Sequence, residues 1–134
     1  MISFTVPGKP MGKERVRITK TGHAYTPQRT VNYESLVALA AQEAMRGKDI
    51  VTGPVKLALV AAVPVAKSWP KKRREAALEG REMPTGKPDI DNMVKAIADG
   101  MNGVVWVDDA QIVTLAVQKV YSETPGVAVF VEAA

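Results

Sequence analysis

Hydrophobic and polar positions alternate at the start of the chain, with Ile2, Phe4 and Val6 set against Ser3 and Thr5 and the run closed by Pro7-Gly8. A period of two predicts a short strand with one face toward a core. Residues 8–17 lose that period and form a basic loop punctuated by glycine and proline. Arg15 to Thr19 and His23 to Thr26 flank Lys20-Thr21-Gly22, the pattern of a hairpin turn. From Pro27 to Arg46 the period lengthens to three and four, through Leu36, Leu39, Ala40 and Ala44, which predicts a helix stopped at Gly47.

Pro54 to Val63 is apolar almost throughout and predicts a strand central in a sheet. Ser68-Trp69-Pro70 opens a basic helix, Lys71 to Leu78, with Ser68 as N-cap, Pro70 in the first turn and Gly80 at the end. Residues 81–88 are a loop, because the residue before each proline is biased away from helix. A third helix runs from Asp91 to Met101 with Val94, Ile97, Ala98 and Met101 on one face, and Asn102-Gly103 ends it. Gln111 to Val120 and Val127 to Val131 read as strands joined through Thr124-Pro125-Gly126. The order predicts one α+β (mixed α/β) domain over residues 1–134, with about three helices.

Composition narrows the chemistry. With 46% hydrophobic and 24% charged residues in 134, the chain is a globular domain. It has no cysteine, which excludes thiol catalysis, disulfides and Cys-ligated metals, and its single histidine leaves carboxylates, lysines and hydroxyls to carry chemistry. The longest apolar stretch, Leu57 to Ala66, is interrupted by Pro64 and falls short of the ~20 residues a bilayer requires. The start lacks a basic segment followed by a long apolar run, so the expectation is a cytoplasmic protein without membrane contact.

Charge is distributed unevenly. Residues 1–87 hold 16 of the 18 basic and 7 of the 14 acidic residues, a balance of +9, whereas residues 88–134 stand at −5. A basic body with a compact acidic patch fits a polyanion partner and a site for cations. The Lys71-Lys72-Arg73-Arg74 run reads as a solvated helix face rather than a DNA contact, and Trp69 and Trp106 read as core residues.

Asp89 and Asp91 stand two residues apart where the third helix begins, so in an extended segment both point to one side. Seventeen residues after Asp91 comes Asp108-Asp109. If the intervening chain runs back along the helix, three or four carboxylates converge on a hard cation, and Mg²⁺ suits a site that keeps waters for substrate. The competing reading makes Asp91 a helix N-cap and Asp108 a turn cap. An EF-hand beginning at Asp89 is excluded, because its sixth position would be Val94 instead of glycine. Lys95 lies four residues after Asp91 and four before Asp99. It is either the middle of an exposed ion-pair ladder or an ammonium that stabilises charge on a phosphate.

Lys87-Pro88-Asp89-Ile90-Asp91-Asn92-Met93-Val94-Lys95, followed by Asp99, Asn102-Gly103 and Asp108-Asp109-Ala110-Gln111-Ile112, resembles the RusA family of Holliday junction resolvases. The N-terminal Pro7-Gly8-Lys9-Pro10, Gly12-Lys13, Arg15-Val16-Arg17 and Tyr25-Thr26-Pro27 are similar to its phage and bacterial branch. The resemblance implies a RusA-like mixed sheet and a homodimeric endonuclease that cuts four-way DNA junctions by paired nicks in recombination and repair. The implied cofactor is Mg²⁺, with Mn²⁺ as a substitute. By position, Asp89, Asp91 and Asp109 are the metal carboxylates, Asp108 an accessory acid and Lys95 the catalytic lysine. Lys9, Lys13, Arg15, Arg17, Lys87 and Asn92 are the expected DNA contacts. Other branched or single-stranded DNA as substrate, and a non-catalytic DNA-binding module, are the alternatives.

Overall fold

The computed structural model describes residues 1–134. Its frame is a four-stranded mixed sheet in the order β1 (Ile2–Pro7), β6 (Gly126–Ala133), β4 (Val55–Pro64), β5 (Ile112–Ser122). β6 pairs antiparallel with both β1 and β4, and β5 pairs parallel with β4. The two final strands are therefore not a hairpin. β4 lies between them, because its nearly continuous apolar run is best satisfied with a neighbour on each edge. A separate ribbon of β2 (Arg17–Ile18) and β3 (Ala24–Tyr25) turns at Gly22, whose φ of +83° suits glycine.

Val55, Leu57, Leu59 and Ala61 of β4 and Val127, Val129 and Val131 of β6 are buried on one face. They form a single core with α1 (Gln28–Ala44) and α3 (Ile90–Met101). Burying side chains of this size stabilises by about 1.5–3 kcal/mol each. The face of α1 differs from the expected one. Thr30, Tyr33, Val37 and Ala41 are buried while Leu39 is 65% exposed. The alanine-rich helix has a weak stripe of its own, so its rotation is decided by α3. There, a Cβ on Gly100 would stand 2.8 Å from Val37 Cβ, so the missing side chain lets the two helices touch. In α3, Met93, Ala96, Ile97, Ala98 and Met101 are buried, and Val94 is half-buried.

The basic helix α2 (Lys71–Leu78) has the expected bounds. Pro70, not Ser68, occupies its N-cap position, without a side-chain capping bond. Trp106 is fully buried and donates from its indole nitrogen to Asn102 Oδ1 at 2.7 Å. Trp69 is only half-buried, contrary to the core expectation: it stands edge-on to Tyr121, with the Arg73 guanidinium 3.5 Å over its ring. No helix is long and apolar enough to cross a membrane.

Candidate active site

Helix α3 begins one residue earlier than its pattern predicts, which puts Asp89 at the N-cap position and Asp91 inside the first turn. The N-cap role expected of Asp91 is therefore not realised, and the Asp89 side chain that stands at the cap makes no capping hydrogen bond. Both carboxylates are exposed, and neither has an ion-pair partner within the chain.

The basic loop of residues 8–16 folds against this helix start. The Lys13 amide donates to the Asn92 carbonyl at 3.0 Å, and the Glu14 amide donates to Thr30 Oγ1 at 3.1 Å. Gly12 permits the approach, since a Cβ there would stand 3.1 Å from Asn92 Cβ and 3.4 Å from Pro88 Cβ. The result is a pocket of about 420 Å³ walled by residues 9–14, Arg29, residues 87–89 and Asn92. It brings Lys9, Lys13, Lys87, Asp89 and Asn92 together, although Lys13 and Lys87 are far apart in sequence. Arg15 and Arg17 lie outside it, exposed to solvent, and Arg17 reaches Glu14 at 3.3 Å.

Lys13 is engaged more deeply than its neighbours. Its ammonium lies 2.6 Å from Asp99 Oδ2 and 2.8 Å from Glu34 Oε1. Partial burial works against its charge, but the hydrogen bonds and attraction of Asp99 and Glu34 prevail and raise its pKa above the usual lysine value. The Asp91–Lys95–Asp99 ladder does not form, because Asp99 is turned to Lys13. Lys95 stays exposed on α3 with no carboxylate partner.

The second acidic pair is divided by role. Asp108 caps a short 3₁₀ turn (Asp109–Gln111), accepting from the Ala110 amide at 3.0 Å. Gln111 accepts from the Val107 and Asp108 amides at 2.8 and 3.0 Å, and donates to the Val51 and Gly53 carbonyls at 2.9 Å each. The turn is thereby tied to the segment that leads into β4. Asp109 is half-buried and pairs with nothing in the chain. No three acidic side chains are gathered at one point, so the expected convergence of the two pairs is not formed within this chain. The donor set still suits a hard cation by its chemistry: Asp89, Asp91 and Asp109 offer carboxylate oxygens that no internal bond occupies.

Sequence reasoning missed the supports of this site. Lys119, on β5, donates to the Gly86 carbonyl at 2.7 Å and the Pro88 carbonyl at 3.1 Å, holding the segment that carries Lys87 and Asp89. The signal was its parity. Lys119 pairs with Ala61 and shares the covered face with Val117, so a lone lysine points inward where apolar residues belong. Arg29, in the first turn of α1, is 80% exposed yet borders the pocket beside Glu14. Tyr33 is 6% exposed, its hydroxyl has no hydrogen bond of full geometry, and burial pushes its pKa up to about 12 against the opposing pull of the nearby Met11 backbone.

Residues 7–132 match the family described as Endodeoxyribonuclease RusA. The chain is also 39% identical to a protein of Bacillus subtilis (strain 168) named "Uncharacterized protein YqaN", over 97% of this chain and 94% of that protein. The chain belongs to the RusA endodeoxyribonuclease family, and its reaction is hydrolysis of phosphodiester bonds within DNA.

Proposed function

We propose that this chain resolves four-way DNA junctions in recombination and repair, as a homodimer that requires a divalent cation, Mg²⁺ or in its place Mn²⁺. The observation that carries the reading is the pocket in which Lys9, Lys87 and Asn92 stand beside the free carboxylate of Asp89, in a chain of an endodeoxyribonuclease family. Cations that attract a phosphate border an acid that repels one, an arrangement in which a divalent cation held by the acid would remove the repulsion.

Asp89, Asp91 and Asp109, which are not gathered at one point in this chain, would have to draw together to hold the cation, with Asp108 as an accessory acid that also caps its turn. Bound there, the cation supplies Lewis acidity at the scissile phosphate and lowers the pKa of water. The chain's own residues do the rest. Lys95, free of any carboxylate partner, stabilises negative charge that grows on the phosphate as the bond breaks. Lys9, Lys87, Arg15 and Arg17 attract the backbone of the DNA, and Asn92 offers its side-chain amide at the pocket wall. Lys13 carries its charge into the same wall while holding Asp99 and Glu34. A four-way junction presents two equivalent strands, and a two-fold dimer supplies two matching sites.

The test is a divalent-cation titration on a synthetic four-way junction, a linear duplex and a flap, with wild type beside Asp89→Asn and Asp91→Asn. Paired nicks in the junction with Mg²⁺, abolished in both variants while junction binding persists, support the reading. Preference for the flap would redirect it to another branched substrate. Cleavage that is indifferent to divalent cations would overturn it.

A further inference from the structure

Two basic segments of the molecule leave from one end of the sheet. Pro7 of β1 and Ala62 of β4 both pair with Gly126 of β6, and Pro64 of β4 pairs with Ser122 of β5. The loop carrying Lys9 follows Pro7, and the segment carrying Lys67 and helix α2 follows Pro64. Lys119, three positions before the end of β5, ties the Lys87 segment to the same end. The candidate pocket and the run Lys71-Lys72-Arg73-Arg74, which has no part in that pocket, thus share one rim.

The cations of this run are not equivalent. Arg73 lies 3.5 Å over the Trp69 ring and 3.0 Å from Glu82, so its charge is used in fixing α2 to β5 through Trp69 and Tyr121. Lys71 faces Glu75 at 3.9 Å, and Arg81 pairs with Glu79 at 2.7 Å. Lys67, Lys72 and Arg74 are exposed and have no carboxylate within ion-pair distance. Lys67 and Arg74 also border a cleft of about 360 Å³, together with Ser122, a hydroxyl donor, and one acid, Glu123. Unpaired cations on α2 and on the segment leading into it, at the same end of the sheet as the candidate nuclease site, have the chemistry of a phosphate-tracking strip.

We infer that Lys67, Lys72 and Arg74 form a second DNA-binding surface that holds the phosphodiester backbone of a duplex arm extending from the active site. The inference rests on the junction-binding reading above and extends it from the pocket to α2. Phosphate binding of this kind carries no base information, so the strip adds affinity and orientation without sequence preference.

The experiment measures junction affinity against salt concentration in an Asp89→Asn background that prevents cleavage. Combined Lys67→Gln, Lys72→Gln and Arg74→Gln is compared with combined Lys71→Gln and Arg81→Gln. The first set is expected to lower the slope of log K on log salt by about two to three, at roughly 0.9 for each phosphate no longer neutralised, and each single change by about one. The second set, whose cations already have carboxylate partners, is expected to leave the slope within a few tenths. An unchanged slope for the first set, or an equal change for both, overturns the inference while leaving junction binding intact. Absence of junction binding by the Asp89→Asn background overturns the functional reading and the inference together.

Discussion

The ammonium of Lys13 lies 2.6 Å from Asp99 Oδ2, joining the basic N-terminal loop to the far half of the helix that Asp89 precedes. Glu34 of α1 meets the same ammonium at 2.8 Å, so one lysine ties the loop to both helices of the core. A cation shared by two carboxylates has little charge left for a phosphate to claim. Lys13→Ala is therefore expected to destabilise the fold by about 1 kcal/mol, near the upper end for a pair with solvent access. Thermal melting checks the stability, and the salt dependence of DNA binding should change by less than the roughly one unit that a free phosphate-binding lysine would give. A full unit of slope with unchanged melting would return Lys13 to the direct DNA contacts.

Tyr33 sets the response to alkali. Its pKa is raised from 10.0 to about 12, so the folded state holds the phenolic proton more tightly than the unfolded chain does. Its contribution is complete below pH 10.0 and disappears as pH rises toward 12, on the order of 3 kcal/mol in total. Tyr33→Phe should behave like wild type at neutral pH, since the hydroxyl has no hydrogen bond of full geometry there, and should lose less stability between those two pH values. Urea unfolding at a series of alkaline pH values reads this difference. Lys13 adds in the same direction: its raised pKa keeps its ion pairs intact below 10.5 and lets them go only as pH passes its folded-state value.

Gly12 is a test of loop docking without charge. A methyl group at this position would press on Asn92 Cβ at 3.1 Å, so either the loop or the start of α3 must shift by a few tenths of an ångström. Gly12→Ala should lower the melting temperature only slightly, because the contact is relieved by so small a shift. Its cleavage rate should fall by roughly tenfold, as expected when site residues are slightly misplaced. Single-turnover cleavage beside a thermal melt separates the two effects.

Lys119 is a positioning residue, joined to the Lys87–Asp89 segment by hydrogen bonds to the Gly86 and Pro88 carbonyls. Lys119→Met should raise the divalent-cation concentration needed for half-maximal cleavage while leaving the salt slope of DNA binding in place. Lys119→Arg, which keeps donors at that position, should recover part of the activity. A change in the salt slope instead would make Lys119 a DNA contact.

Much of this molecule can be read along the chain. The third helix, the apolar strand ending at Pro64 and the basic helix at Lys71 are signalled by period and composition, and all three form within a residue or two of their expected bounds. The spacing of Asp89, Asp91 and Lys95 is likewise a local property, as is the contrast between the two charged halves. Where the local signal is weak, the expectation fails. An alanine-rich helix such as α1 can present either of two faces, and the close approach of Gly100 decides between them.

What the sequence by itself determined is the set of elements, the family motif and the inventory of acids and bases, because backbone propensity and residue chemistry act over a few positions. Only the tertiary structure decided which charges are free. Asp99 answers Lys13 from 86 residues away instead of Lys95 on its own helix, and Lys119 reaches the Gly86 carbonyl across 33. These pairings depend on strand order and helix packing, which bring distant segments within the few ångströms where charge and hydrogen bonding act. The same packing gathered Lys9, Lys87 and Asp89 at one pocket and left Lys67, Lys72 and Arg74 unpaired at the same end of the sheet.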